Sequence, residues 1–259
     1  MKKIIILFLN VIFVNLLFSN SFKLHLLFTN NIHGAIHEVP ARFINPEFSP
    51  ILAGGAGAFT YVSKLRKEAK LQKDFVLLTD AGNIFQGSQL GTYDGGSNII
   101  KWMNWMAYDA IVPGVRDFDQ GVNNLSKLAS EANFPFLASN LEGVDGIEDY
   151  KIIDANGVKI GLIGLITPFI SEGLLPEYYE GVAVSDIKKT LSTQIEKIRS
   201  DVDLIFVLSH LGIPYDREDE YDDFIKDIEQ GVERPIRNAI ELAHFTDEVD
   251  VIITGGVSK

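Results

Sequence analysis

The sequence predicts an α/β protein of layered type, with sheets covered by helices. Short apolar runs of strand length alternate along the chain with amphipathic stretches at helical spacing. The 259 residues are 46% hydrophobic and 22% charged, enough apolar material for a large core and no sign of disorder. A tight-turn signal, Asn156-Gly157 between two apolar runs, adds antiparallel pairing.

In chain order, Lys23 to Thr29 reads as the first strand. Gly54 to Leu71 reads as a helix, because Phe59, Val62, Leu65 and Ala69 recur at helical spacing. Its Gly54-Gly55-Ala56-Gly57 start lacks the Lys-Ser/Thr ending of a phosphate loop and is expected to serve close packing. Phe75 to Thr79 is a buried strand, Ser97 to Met106 a helix, Ala110 to Val112 a strand, Val122 to Ala132 a helix and Phe136 to Ala138 a strand. Tyr150 to Asp154 and Val158 to Leu165 form the hairpin. Ile187 to Ser200 is expected as a helix and Leu204 to Leu208 as a buried strand. Tyr215 to Tyr221 is expected as an acidic loop, Asp222 to Ala243 as a helix and Val249 to Ile253 as the last strand. No repeat or linker divides the chain, so residues 22–259 read as one domain.

Lys+Arg 23 against Asp+Glu 35 gives a formal charge of −12, which argues against binding nucleic acid or an anionic membrane through bulk charge. An anionic ligand therefore needs a locally positive site. Met1-Lys2-Lys3, the apolar run Ile4 to Phe18 and the small residues Ser19 and Ser21 have the form of a secretory signal cut before Phe22. The expectation is export to a periplasmic or extracellular location, with no stable membrane span after cleavage; an uncleaved anchor is the alternative. The absence of Cys excludes disulfides, thiolate catalysis and thiolate-bound zinc.

Ligands of layered α/β folds gather at the carboxyl ends of strands. Those segments here read Thr29-Asn30-Asn31-Ile32-His33-Gly34, Asp80-Ala81-Gly82-Asn83, Gly114-Val115-Arg116-Asp117-Phe118-Asp119, Ser209-His210-Leu211-Gly212 and Gly255-Gly256-Val257-Ser258-Lys259. In this order they resemble the motif blocks of the calcineurin-like metallophosphoesterases, and specifically of the bacterial exported 5′-nucleotidase and UDP-sugar hydrolase family. Phe85-Gln86-Gly87-Ser88, Tyr108-Asp109-Ala110 and Ala138-Ser139-Asn140 extend the match, which runs from Phe22 to the last residue. The resemblance implies an αββα sandwich, two divalent cations (Zn, Mn or Co) and hydrolysis of phosphate esters. It also implies that the chain stops within the family's last block, leaving a sheet edge open to a protein partner and lacking the C-terminal substrate-binding domain.

The departures from the family pattern carry more information than the matches. The positions that match its metal ligands are Asn31, His33, Asn83, Val115, His210, Val257 and Lys259, and only the two His are unchanged. Val115 and Val257 offer no lone pair, and Lys259 brings an ammonium where the family binds a cation. A bridging carboxylate normally offsets the repulsion of cations about 3.5–4 Å apart, which the neutral Asn83 amide cannot do. The family's acid–base His matches Arg116, whose guanidinium stays protonated, while the residue that orients it survives as Asp119. Asn31, His33, Asn83 and His210 are thus expected to hold metal weakly or not at all. The expectation is a catalytically silent phosphoesterase-like domain, with no metal cofactor, that binds phosphate or a nucleotide through a cationic pocket. Alternatives are a weak metal-dependent nucleotidase or UDP-sugar hydrolase, an envelope interaction module, or a decayed gene product.

Overall fold

The structure is a computed structural model that describes residues 22–214 and 217–258, so the signal-like residues 1–21 and Lys259 lie outside the described residues. Strand alternation sets the layers. The strands Leu24–Thr29, Phe75–Asp80, Ala110–Ile111, Phe136–Leu137 and Ile147–Glu148 lie in that order in one parallel sheet. A second sheet has the order Val251–Thr254, Leu204–His210, Val158–Ile166 and Tyr150–Ala155, parallel except for its last pair. That last pair is the hairpin: Ala155 pairs with Val158 across Asn156 and Gly157, whose φ values of 56° and 94° are those of a tight two-residue turn.

Alternate residues of both sheets meet in one apolar layer. Leu77, Val112 and Leu137 from the first sheet pack with Ile160, Leu162, Phe206, Leu208 and Ile253 from the second. The residues between them face outward. Leu78 joins Val62, Ile99, Met103, Leu125 and Leu128 of three covering helices, Gly54–Gln72, Ser97–Met106 and Val122–Glu131. Ile163, Leu165, Ile205 and Val207 join Ile187, Leu191, Ile195 and Ile198 of the helix Ile187–Ile198 on the other side. Strands buried on both faces need such continuous apolar runs, and the result is helix, sheet, sheet, helix.

Two local devices tie the layers. Gly164 brings the second sheet so close to the first that a Cβ there would collide with the Leu137 backbone, and the Gly164 carbonyl accepts from both the N–H (2.9 Å) and the hydroxyl (2.6 Å) of Ser139. Buried Asn140 donates to the Ile166 carbonyl (2.8 Å) and accepts its N–H (2.9 Å). At the helix start, Gly55 lies against Trp102, in keeping with the packing role expected of that glycine run.

The region before the last strand differs from expectation. Tyr215 and Asp216 of the acidic run lie outside the described residues, and from Arg217 on the run is not a loop: Arg217–Glu229 is a helix, with Glu218, Asp219 and Glu220 in its first turn, where carboxylates complement the helix dipole. The expected helix from Asp222 to Ala243 is broken, because Gly231 turns at φ 69° and Pro235 has no N–H to donate. A short helix, Ala239–Phe245, follows, started by Asn238 accepting from the N–H groups of Ile240 and Glu241 at 3.0 Å each. The strand expected at Val249 to Ile253 spans Val251–Thr254, and a two-residue strand, Val257–Ser258, follows it. Val251–Thr254 forms one edge of its sheet among the described residues, of which no helix is long and apolar enough to cross a membrane.

Candidate functional site

The strand ends of both sheets meet on one rim. Asn31 and His33 follow the first strand, Asn83 follows Phe75–Asp80, and Arg116 sits in the 3-10 turn Val115–Phe118 beyond Ala110–Ile111. Thr167 and Phe169 follow Val158–Ile166, and His210 ends its own strand. Across the gap, the backbone of Val257 pairs with that of Ile213.

The loops at 31–34 and 82–84 are laced by three successive backbone bonds: Asn31 N to Gly82 O (2.8 Å), His33 N to Asn83 O (3.0 Å) and Gly34 N to Ile84 O (2.8 Å). This lacing holds Asn31, His33 and Asn83 at φ 50°, 50° and 61°, a region sparsely used by residues with a side chain. Beneath them Asp117 is fully buried, and its carboxylate accepts the N–H groups of Asn83 (2.8 Å), Ile84 (2.8 Å) and Gly114 (2.7 Å). Burial pushes its pKa up to about 6, against the downward pull of the three N–H groups. Asp80 is also fully buried, accepting from the Thr29 hydroxyl (2.5 Å) and Gly82 N (2.7 Å), and burial raises it to about 8. Both carboxyl groups therefore brace loops.

The two amides close on each other. Asn83 Nδ2 donates to Asn31 Oδ1 (2.8 Å), and Asn83 Oδ1 accepts the backbone N–H of Arg116 (2.9 Å). Each amide oxygen thereby accepts one hydrogen bond. The guanidinium of Arg116 reaches the Gly173 carbonyl (3.3 Å) and stands 3.6 Å from Asp119, which joins the pair proposed from the sequence; half of the Arg116 side chain remains exposed. Burial raises the Asp119 pKa, and Arg116 opposes this.

His33 Nδ1 lies 2.8 Å from the Gln86 carbonyl and His210 Nδ1 lies 2.5 Å from the Ala81 carbonyl. A carbonyl can only accept, so Nδ1 carries the proton in both rings and Nε2 is the acceptor. The His210 ring is buried, which lowers its pKa, and it is caged by glycines: a Cβ at Gly82, Gly114 or Gly256 would come within 2.7, 2.8 or 2.9 Å of it. The remaining histidines take no part: His25 pairs with Asp74 at 3.3 Å on the far end of its strand, and His244 packs edge-on against Phe224.

Beside this caged ring opens a cavity of about 540 Å³, bordered by Val115, Arg116, Thr167, Phe169, Glu172 and, from the segment before the short helix, Arg237. Val115 thus sits at the same rim as His210 but supplies only methyl groups. Sequence reasoning missed Arg237, Thr167 and Asp117. Asp117 was visible as an acid inside the third strand-end block. Arg237 gave no signal, since its segment read as helix interior.

No protein-family model matches the chain. The 5′-nucleotidase of Vibrio vulnificus is 28% identical over 246 residues, covering 92% of this chain and 40% of its own length. The chain is a homologue of the 5′-nucleotidases. It spans about two fifths of the length of the curated relatives it matches first. A calcineurin-like phosphoesterase of Bacillus subtilis superposes with a TM-score of 0.65 at 25% identity, covering 89% of this homologue and 70% of that chain. The Haemophilus influenzae NAD nucleotidase superposes with a TM-score of 0.64 at 21% identity, over 90% of this chain and 38% of that one. The fold is that of the metallophosphoesterase domains.

Those relatives make the donor set of this homologue the decisive question. Among the described residues, no three of His, Cys, Asp and Glu gather so as to hold a metal ion. Hydrogen bonds at a ring's Nδ1, as in His33 and His210, are compatible with ligation at Nε2, but the amides beside them are engaged with each other and with Arg116. Two imidazoles beside two engaged amides, with the one lining carboxylate, Glu172, not grouped with them, do not fit a pair of divalent cations.

Proposed function

We propose that this 5′-nucleotidase homologue is a binding domain that does not hydrolyse phosphate esters, and that it takes a phosphate or nucleotide in the rim cavity. The observation that carries this reading is the clasp of Asn31, Asn83 and Arg116, in which neutral amides, hydrogen-bonded to each other and to the Arg116 backbone, offer no negative charge to offset the repulsion of two cations. Without a Lewis acid nothing lowers the pKa of an attacking water from about 15.7 toward 7. Arg116 cannot deliver a proton in place of an imidazole, because guanidinium keeps its own up to about pH 12. Its planar fork does suit phosphate oxygens. Export past the cytoplasmic membrane belongs to the same proposal and rests on the signal-like residues 1–21.

The test joins elemental analysis to turnover and binding. Purified protein is expected to carry no stoichiometric transition metal, to release no phosphate from AMP or UDP-glucose with added Mn, Co or Zn, and to give binding heat with phosphate. Two bound metal equivalents with metal-stimulated hydrolysis would refute the proposal and favour the enzyme reading.

A further inference from the structure

The cavity has a second cationic wall. Arg237 stands between the buried residues Ile236 and Asn238, and its backbone is fixed by its N–H to Glu241 Oε2 (2.7 Å) and by the next-but-one N–H, that of Ala239, to the Gly212 carbonyl (3.0 Å). Glu241 might be taken as a partner for its guanidinium, but that carboxylate is already engaged by Arg234 at 2.9 Å. Among the described residues no carboxylate lies within 4.0 Å of the Arg237 guanidinium, whose side chain is exposed toward the cavity.

On a chain with a formal charge of −12, two arginines border one cavity of about 540 Å³, Arg116 partly offset by Asp119 at 3.6 Å and Arg237 with no such partner among the described residues. Arg116 enters from the third strand end of the first sheet, Arg237 from the segment that precedes the last strand of the second. Between them Thr167 adds a hydroxyl whose oxygen already accepts the N–H of Phe169 (3.3 Å), leaving its hydrogen to donate outward. Glu172 is the only carboxylate among the described lining residues. Forks from two sides and a hydroxyl between them match the several oxygens of one tetrahedral anion better than a planar carboxylate.

We propose that Arg237 is a ligand-binding residue, and that together with Arg116 it clamps a single phosphate group, free or as a phosphomonoester, without any metal. This rests on the phosphate-binding reading of the same cavity, and it adds a residue and a geometry to it.

Calorimetry with inorganic phosphate and with AMP, in buffer containing a chelator, tests both levels on the full chain. Arg237→Ala is expected to weaken phosphate about tenfold or more, as the loss of a charge-assisted contact implies, with the melting midpoint unchanged. Arg237→Lys should fall between that variant and the wild type, because it keeps the charge and loses the fork. If Arg237→Ala and Arg237→Lys bind phosphate as tightly as the wild type while Arg116→Ala does not, the role of Arg237 is wrong and the binding reading survives. If the wild type itself gives no heat with either probe at millimolar concentration, both are wrong.

Discussion

The rim has two sides that are built on opposite rules. On the side of Asn31, Asn83 and Asp117 each polar side chain is engaged within the protein: amide to amide, amide to backbone, carboxylate to three N–H groups. On the other side Thr167 and Arg237 border the open cavity, as does Arg116, whose guanidinium is partly engaged by the Gly173 carbonyl and Asp119. Buried polar atoms that are fully paired rigidify a structure, whereas exposed unpaired ones cost little to leave waiting. The difference separates a braced side from an open one within one strand-end rim. A metal centre would instead require donors on the first side to be unpaired and aimed at a common point.

Removing Asp117 should break the first side most severely. Asp117→Ala leaves three buried N–H groups without an acceptor, each of which costs about 1–3 kcal/mol, so the loss of stability should be about 3 kcal/mol or more. Urea denaturation measures it directly; a loss below about 1 kcal/mol would mean that water or a shifted loop replaces the carboxylate easily. The second test uses pH. The pKa of Asp80 rises from the ordinary 3.8 to about 8 in the folded chain, chiefly through burial, so below pH 8 the folded state holds a proton that the unfolded chain has released. Stability then falls as pH rises through that window. Asp117 acts in the same direction only below about pH 6, and His210, its pKa lowered by burial, acts in the opposite direction up to about its ordinary 6.5, so from pH 6.5 to 8.5 Asp80 is the main group whose stabilisation falls. The melting midpoint should be several degrees higher at the acid end of that interval, and Asp80→Asn should flatten the slope; an equal slope in the variant would assign it to another group.

How far this was legible in the sequence differs by region for physical reasons. The inter-sheet core announces itself through alternation, as at Leu77 and Leu78 facing opposite layers, and Asn156-Gly157 fixes the hairpin because few residue pairs tolerate its backbone. The segment from Tyr215 to Ala243 was misread because composition dominated the reading: an acidic stretch looks like solvated loop, yet acids in a first turn favour a helix, and Pro235 argued against one continuous helix. At the site, motif order brings Asn31, Asn83 and Arg116 to one rim. It cannot show which atom of one amide meets the other, since that depends on loop lacing a few tenths of an ångström accurate. Arg237 comes from a segment that no motif connects to the rim, so only the fold reveals it.

The smallest expected effect is also the most specific test of the closed side. Asn31→Ala and Asn83→Ala will each destabilise for several reasons at once, because both residues sit at positive φ, where Ala is strained, and Asn83 also accepts the Arg116 N–H. A double-mutant cycle cancels those separate terms and leaves the interaction between the amides. A bond of 2.8 Å between neutral partners at a partly buried position should give a coupling of about 1 kcal/mol. The same cycle read on phosphate affinity should give nearly none, since Asn31 is not among the residues that line the cavity. Asn83→Ala alone should weaken phosphate, because Oδ1 of that residue positions the Arg116 backbone. Coupling near zero in stability would mean that the amides merely lie side by side, and the clasp would then give no reason for a rim that works without a bridging ion.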